Sequence, residues 1–248
     1  MKSVIVIPAR YKSNRFPGKP LVNLLGKPMI LWVSELSAKA VGKENVYIAT
    51  DDERISKVVT NAGFNAIMTS EQCFTGTDRL AETAKKIKAD IYINVQGDEP
   101  LVNPKDIIKI IKAKELHYHE IINGYCPISS DEDPNNVNIP KVIFTEDNSL
   151  VYMSRQAVPG FKDKSKAPSQ YYKQVCIYAF SADELKSYAD YGRKSILEAS
   201  EDIEIIRFLE WGKKIRMVET SLGSLAVDIP EDVNKVEQGL RELHNVKN

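Results

Sequence analysis

Short runs of apolar, mostly β-branched residues recur along the first 115 positions, and stretches of helical length separate them. Such runs are typical of strands that are buried on both faces of a parallel sheet, because helices cover both sides. We predict strands at 4–7, 46–49, 66–68 and 91–95. We predict the intervening helices at 28–40, 52–62, 77–88 and 104–114. Strand alternating with helix indicates an α/β fold with a doubly wound, Rossmann-like, mostly parallel sheet.

The pattern changes in the middle of the chain. Four strand-like runs follow one another without helices between them, at 121–127, 141–145, 150–154 and 174–180. We interpret 121–180 as an inserted, mainly antiparallel lobe of a single domain spanning 1–248, which covers a site or makes a dimer contact. Beyond it we predict helices at 182–189, 201–211 and 231–243, with a strand at 215–219.

Composition excludes several classes of protein. Lys plus Arg and Asp plus Glu are 34 each, so the chain lacks the basic excess of a nucleic-acid binder. The three cysteines are far apart and show no zinc-ligand spacing, which favours reduced thiols in the cytoplasm. The apolar run near the N-terminus is too short for a signal peptide core or a membrane span.

Ligands of a doubly wound sheet bind at the carboxyl ends of its strands. The segment after the first predicted strand places four cations within ten residues: Arg10, Lys12, Arg15 and Lys19. Arginine, lysine and backbone N–H groups at such a position would neutralise the phosphates of a nucleotide. A solvated basic loop is the alternative from charge alone, and the spacing is not that of a Walker P-loop.

Two aspartates are candidate metal ligands. Asp98 follows the strand predicted at 91–95, beside the basic segment, where Mg²⁺ would find oxygen donors together with substrate phosphates. It could instead cap the helix that follows Pro104. Asp228 precedes a predicted helix, and on its own it suits a helix N-terminus better than a metal site.

Long collinear motifs resemble one enzyme family, the 3-deoxy-manno-octulosonate (Kdo) cytidylyltransferases. They are IPARYKSNRFPGKPL from position 7, GKPMI from 26, ATDDERI from 49, MTS from 68, GTDR from 76, NVQGDEP from 94 and VDIPED from 227. The resemblance implies a fold of the nucleotide-diphospho-sugar transferase type. It also implies Mg²⁺-dependent transfer of CMP from CTP to the anomeric hydroxyl of a 2-keto-3-deoxy sugar acid, with release of pyrophosphate, for lipopolysaccharide or capsule synthesis.

The resemblance also assigns roles to residues. Arg10, Lys19 and Asp98 would be catalytic, Asp98 and Asp228 would hold one or two Mg²⁺ ions, and the 121–180 lobe would form a homodimer. The nucleotide would contact Pro8, Ala9, Arg10, Ser13, Lys19, Thr75, Gly76, Arg79 and Asp98. The sugar would contact Gln96, Arg155, Gln174, Tyr178 and Glu204.

The chain departs from the family pattern in the sugar pocket. The family's H-L-G-I/V-Y stretch is Gln174-Val175-Cys176-Ile177-Tyr178 here, and its Glu-Gln pair is Glu204-Ile205. Changed polar contacts indicate a changed sugar preference, so 8-amino-Kdo, Kdn or another nonulosonate remains an alternative to Kdo. The other explanation is neutral drift at positions that tolerate substitution. An acylneuraminate cytidylyltransferase and a non-catalytic sugar-nucleotide binding protein are the further alternatives.

Overall fold

The computed structural model describes residues 1–12, 16–222 and 225–244. The strands are β1 Ser3–Ala9, β2 Asn23–Leu24, β3 Lys27–Pro28, β4 Val46–Thr50, β5 Asn65–Met68, β6 Ile91–Val95, β7 Ile121–Pro127, β8 Lys141–Phe144, β9 Leu150–Ser154, β10 Tyr172–Ser181 and β11 Ile215–Glu219. The helices are α1 Met29–Val41, α2 Glu53–Asn61, α3 Gly76–Lys86, α4 Pro104–Leu116, α5 Ala182–Asp190, α6 Ile196–Glu201, α7 Ile206–Glu210 and α8 Asp232–His244.

The large sheet has the strand order β11-β7-β10-β6-β1-β4-β5. Strands β6, β1, β4 and β5 pair in parallel, β10 is antiparallel to both β6 and β7, and β11 is parallel to β7. Along this path, within the described ranges, β10 alone runs against the rest. The predicted doubly wound, mostly parallel sheet is confirmed.

Helices cover both faces of the sheet because the side chains of each strand alternate. On β1, Ile5 and Ile7 pack in one core with α1, α2 and α4, whereas Val4 and Val6 pack in the other with α3, α5 and α7. Helix α8 closes a third, smaller core against the β2–β3 hairpin. No helix among the described residues is long and apolar enough to cross a membrane.

The segment 121–180 is mainly antiparallel, but it is not set apart from the sheet. Strands β7 and β10 are inner strands of the large sheet, since their side chains are buried on both faces. Only β8 and β9 lie off the strand path, with β8 paired to β10 and to β9. Any unit that projects from the sheet is therefore restricted to the β8–β9 hairpin. The roles of segment 121–180 in covering the sugar and in dimer contact remain predictions.

The helix predicted at 201–211 is wrong as a single element. Helix α6 ends at Glu201, Asp202 adopts a left-handed conformation with φ 49°, and α7 begins only at Ile206. Arg155 donates hydrogen bonds to the backbone oxygens of Glu201 and Asp202, which satisfies carbonyls at the helix end. The break is stabilised by a residue that follows the distant strand β9, which local sequence does not reveal.

Candidate active site

The ends of β1 and β6 meet in a close backbone contact at Gly97. A Cβ atom at this position would lie 2.9 Å from the carbonyl oxygen of Pro8 and 3.4 Å from side-chain carbons of Ile7 and Ile30. Only glycine permits this approach. The contact brings residues 8–10 and 96–98 together, at the strand ends where a doubly wound sheet binds its ligands.

Lys19 joins the two aspartates at this edge. Its Nζ lies 2.5 Å from Oδ2 of Asp98 and 3.7 Å from Oδ1 of Asp228, and its side chain is 16% exposed. The N–H of Val227 donates to the backbone oxygen of Asp98 at 2.9 Å, which fixes the second aspartate's loop against the first. The structure thus places Asp98 and Asp228 around one cation of the basic segment.

The two aspartates differ in their relation to the helices that follow them. Asn103 caps α4, since its side chain accepts the N–H of Lys105 at 3.0 Å. The Asp98 carboxylate therefore does not cap this helix. Helix α8 begins at Asp232, whose carboxylate accepts the N–H of Asp228 at 2.8 Å, so Asp228 is tied to the first turn of α8.

The donor set suits Mg²⁺ bound together with a substrate. Among the residues that the structure describes, no group of three or more His, Cys, Asp or Glu side chains is arranged to hold a metal. Mg²⁺ is usually held by one or two carboxylates plus substrate phosphate and water, so the two aspartates at this edge of the sheet are of the kind and number that it requires. A closed, all-protein metal cage is not expected here.

Helix α3 begins at the same edge. Thr75 caps it in a reciprocal capping box with Asp78. A Cβ atom at Gly76 would lie 3.2 Å from Cγ of Pro8 and 3.5 Å from Oε2 of Glu204. The N–H groups of Thr77 and Asp78 therefore already have acceptors within the chain, on Glu204 and Thr75.

Glu204 is half-buried, and its carboxyl group lies at the N-terminus of α3 with Oε1 fully buried. Its Oε2 accepts the N–H of Thr77 at 3.0 Å, whereas its Oε1 has no hydrogen-bond partner among the described residues. Burial raises the pKa of Glu204 above its usual value, and the hydrogen bond from Thr77 only partly opposes this. A buried carboxylate oxygen left without a donor is a candidate acceptor for a ligand hydroxyl.

We expect Glu204→Gln to make the protein more stable at pH 8, by roughly 2–4 °C in Tm, while lowering its activity. A carboxyl group with a raised pKa binds its proton more tightly in the folded chain, so wild-type stability falls as pH rises from the unfolded pKa through the folded one. The glutamine does not titrate and can still accept the Thr77 N–H. Thermal unfolding at pH 4 and pH 8 tests this, and the gain should vanish at pH 4. A variant less stable than wild type at pH 8 would contradict it.

The structure holds Arg79 inside the protein. Its side chain is 4% exposed, its Nη2 lies 2.6 Å from Oδ2 of Asp51, and its Nη1 donates to Oγ1 of Thr69 at 2.7 Å. These bonds tie α3 to the segments that follow β4 and β5. Arg79 therefore orients the helix that begins at the site, and its direct contact with a nucleotide remains a prediction.

The predicted sugar residues divide into two groups. Tyr178 and Gln174 lie on β10, are 2% and 8% exposed, and are joined by a 3.2 Å hydrogen bond from Nε2 to Oη. Arg155 follows β9, and its guanidinium donates to backbone oxygens, including that of Val137 at 2.9 Å. Because Arg155 also holds the α6–α7 turn, it positions the segment that carries Glu204.

The remaining predicted residues lie at the strand ends. Gln96 is half-buried directly after β6, and Arg10 is exposed directly after β1. The Lys194 hydrogen bond keeps the pKa of Asp202 low, and the charges of Arg155 and Arg10 add to this effect. Arg10 therefore lies within electrostatic range of Asp202 in the α6–α7 turn. Ser13 lies outside the described residues.

Sequence reasoning missed a buried ion pair that supports the site. Arg207 and Glu198 are each fully buried and form two hydrogen bonds of 2.7 Å. The guanidinium of Arg207 lies over the ring of Tyr188 at 3.6 Å, and the Tyr188 hydroxyl is 3.1 Å from Oγ1 of Thr75. The network joins α6 and α7 to the cap of α3. The sequence pattern did not predict this network, because an arginine within a predicted amphipathic helix is ordinarily on the solvent side.

Comparison with known proteins agrees with this geometry. A family model described as cytidylyltransferase matches residues 4–215. The 3-deoxy-manno-octulosonate cytidylyltransferase of Syntrophobacter fumaroxidans is 40% identical, over 95% of this chain and 96% of that protein. The 8-amino-3,8-dideoxy-manno-octulosonate cytidylyltransferase of Shewanella baltica is 38% identical, over 97% of this chain and 99% of that protein. A solved structure of CMP:2-keto-3-deoxy-manno-octonic acid synthetase complexed with CTP superposes with a TM-score of 0.90 at 37% identity, over 98% of this chain and all of that one. The chain belongs to the cytidylyltransferase family.

Proposed function

We propose that this protein transfers CMP from CTP to the anomeric hydroxyl of a 2-keto-3-deoxy sugar acid, with Kdo as the first candidate, and releases pyrophosphate. The observation that carries the proposal is the pair Asp98 and Asp228 around Lys19, at the carboxyl edge of the sheet. The identity of about 40% to Kdo cytidylyltransferases, over nearly the whole chain, supports this choice of substrates.

In the proposed reaction the anomeric oxygen attacks the α-phosphorus of CTP. The bond from that phosphorus to the β-phosphate oxygen breaks, pyrophosphate leaves with the bonding electrons, and the hydroxyl proton passes to solvent. Lys19 and Arg10 provide positive charge for the triphosphate. Residues 8–10 and 75–79 border the cytosine, and a Cβ atom added at Gly76 would lie only 3.2 Å from Cγ of Pro8.

Asp98 and Asp228 are the residues that would hold Mg²⁺. When bound, the ion would supply positive charge to the phosphate oxygens during transfer. The two carboxylates also anchor the Lys19 ammonium and thereby fix the position of the basic segment. The number of ions is left open.

The acceptor would bind between β10 and the α6–α7 turn. Tyr178 and the unpartnered Oε1 of Glu204 offer polar groups there, and Gln96 offers an amide at the end of β6. Arg155 and Gln174 hold the surrounding backbone and side chains. A site built from such groups discriminates strongly between hydroxylated acceptors.

A second acceptor, 8-amino-Kdo, is favoured by one specific observation. The chain is 38% identical to an 8-amino-3,8-dideoxy-manno-octulosonate cytidylyltransferase, close to its 40% identity to a Kdo enzyme. We further propose that the product serves lipopolysaccharide or capsule synthesis and that a homodimer acts in the cytoplasm. The three free cysteines, all within the described residues, suit such a reducing compartment.

A substrate matrix tests the proposal. Pyrophosphate release should be measured with each of CTP, UTP, ATP and GTP against Kdo, 8-amino-Kdo, Kdn and N-acetylneuraminate, in Mg²⁺. We expect release with CTP and an eight-carbon acid, and about 100-fold less with the other nucleotides. Release with a nine-carbon acid alone would favour the acylneuraminate alternative, and binding of CTP without release in any combination would favour a non-catalytic protein.

A further inference from the structure

Strand β10 carries a two-residue bulge where it passes the candidate site. Its pairing with β7 continues up to Val175 and resumes at Tyr178, opposite Asn123. Cys176 and Ile177 are therefore extra residues on this side, while β10 stays paired with β6. Bulges next to active sites commonly redirect a side chain, and the side chains concerned here are those of Cys176 and Ile177.

Asn123 stabilises the bulge through hydrogen bonds. It is fully buried on β7, and its Nδ2 donates to the carbonyl oxygens of Val175 at 2.9 Å and Ile177 at 3.2 Å, on either side of Cys176. Buried carbonyls that lose their ladder partners need other donors, and this one amide serves both. Its Oδ1 accepts a hydrogen bond from Nε2 of Gln174 at 3.1 Å.

The stabilised bulge also positions the Tyr178 hydroxyl. Nε2 of Gln174 lies 3.2 Å from the Tyr178 hydroxyl. Tyr178 is therefore held by a residue of its own strand, whose amide also donates to Asn123. A hydroxyl fixed in this way presents one geometry to a ligand.

Cys176 stands at the carboxyl end of β6. The last pair between β10 and β6 joins Ile177 to Val95, which sets Cys176 level with Gln96. Burial is the main reason that the pKa of Cys176 is raised, and the charges of Glu99, Asp98 and Glu204 add to the effect. The backbone register thus places Cys176 at the strand end that carries the candidate site.

We infer that Asn123 is a positioning residue of the acceptor subsite and that Cys176, presented by the bulge, determines which acceptor fits there. The Cys176 side chain occupies space beside Gln96 that a glycine would leave open, so it narrows the subsite. A thiol is a weak hydrogen-bonding group, and the acceptor surface that faces it is therefore carbon-bound hydrogen instead of hydroxyl. The inference rests on the proposed function.

Asn123→Leu tests the positioning role, since leucine has a similar volume but no donors. We expect the KM for the acceptor to rise about tenfold while the KM for CTP stays within about twofold. Asn65→Leu is the matched control, because Asn65 likewise donates to two carbonyls, of Val46 and Glu44, at the far edge of the sheet. An unchanged acceptor KM, or an equal rise in both KM values, would overturn the role of Asn123.

Cys176→Gly tests the specificity role without relying on the buried asparagine. We expect kcat/KM for a nine-carbon 2-keto-3-deoxy acid, relative to an eight-carbon one, to rise about tenfold. An unchanged ratio would overturn the role of Cys176. Wild-type turnover reports on the proposed function, and the ratios of variant to wild type report on this inference, so failure of one is distinguishable from failure of the other.

Discussion

Asp98→Asn is expected to reduce Mg²⁺-dependent pyrophosphate release by about 10³-fold or more while leaving the fold intact. The substitution keeps the size of the side chain and an oxygen that can accept from Lys19, but it removes the negative charge that a divalent ion requires. Several kcal/mol of charge stabilisation in the transition state would be lost, and each 1.4 kcal/mol is about tenfold in rate. Steady-state release over a Mg²⁺ titration measures the effect, with circular dichroism to verify folding.

Asp90→Asn is the matched control for this experiment. Asp90 stands at the opposite end of β6, where its carboxylate accepts the backbone N–H of Lys2 at 2.7 Å. A change of the same type at the wrong end of the strand should leave turnover within about twofold of wild type. If Asp98→Asn turned over like the wild type, the metal role of this edge would be refuted.

Lys19→Met is expected to lower kcat/KM for CTP by about 10²- to 10³-fold. Methionine keeps the length of the side chain but removes the cation that lies against Asp98 and Asp228. Loss of one charged donor to a transferring phosphoryl group typically costs this much. Since the two carboxylates would also lose their shared counter-ion, Mn²⁺ binding in the absence of nucleotide, followed by electron paramagnetic resonance, should become tighter.

Lys27→Met provides the comparison. Lys27 belongs to the same N-terminal region, but its ammonium pairs with Glu35 at 2.6 Å and lies over the ring of Trp32 at 4.0 Å, away from the two aspartates. Its loss should alter kcat/KM by no more than about twofold, as for other surface ion pairs. Equal effects of the two substitutions would show that Lys19 has no special relation to the nucleotide.

The positions of the strands could be predicted from local pattern, because buried parallel strands need apolar residues on both faces. The run ending at Pro8 and the run 91–95 became β1 and β6, side by side, and their carboxyl ends lie together. The same reasoning placed the polar residues after each strand at one edge. The approach of Asp228 to this edge depended on the family resemblance, since its local sequence is that of a helix start.

Features that depend on distant contacts could not be predicted in this way. Arg155 breaks the segment 201–211 into two helices through bonds that span about a fifth of the chain. The Asn123 bulge requires that β7 and β10 be paired in a known register, which no single strand reveals. The ion pair between Arg79 and Asp51 was not predicted, although Asp51 follows β4 at the edge of the sheet where α3 begins.

The central claim is that this edge of the sheet joins CMP to a 2-keto-3-deoxy sugar acid. ³¹P nuclear magnetic resonance of CTP, Kdo and Mg²⁺ with the wild-type protein tests it most directly, because it observes every phosphorus-containing product. We expect a new phosphodiester resonance and pyrophosphate in equal amounts, both absent with Asp98→Asn. Persistence of CTP with Kdo and with 8-amino-Kdo, or its conversion to CDP and phosphate, would show that this edge does not catalyse CMP transfer.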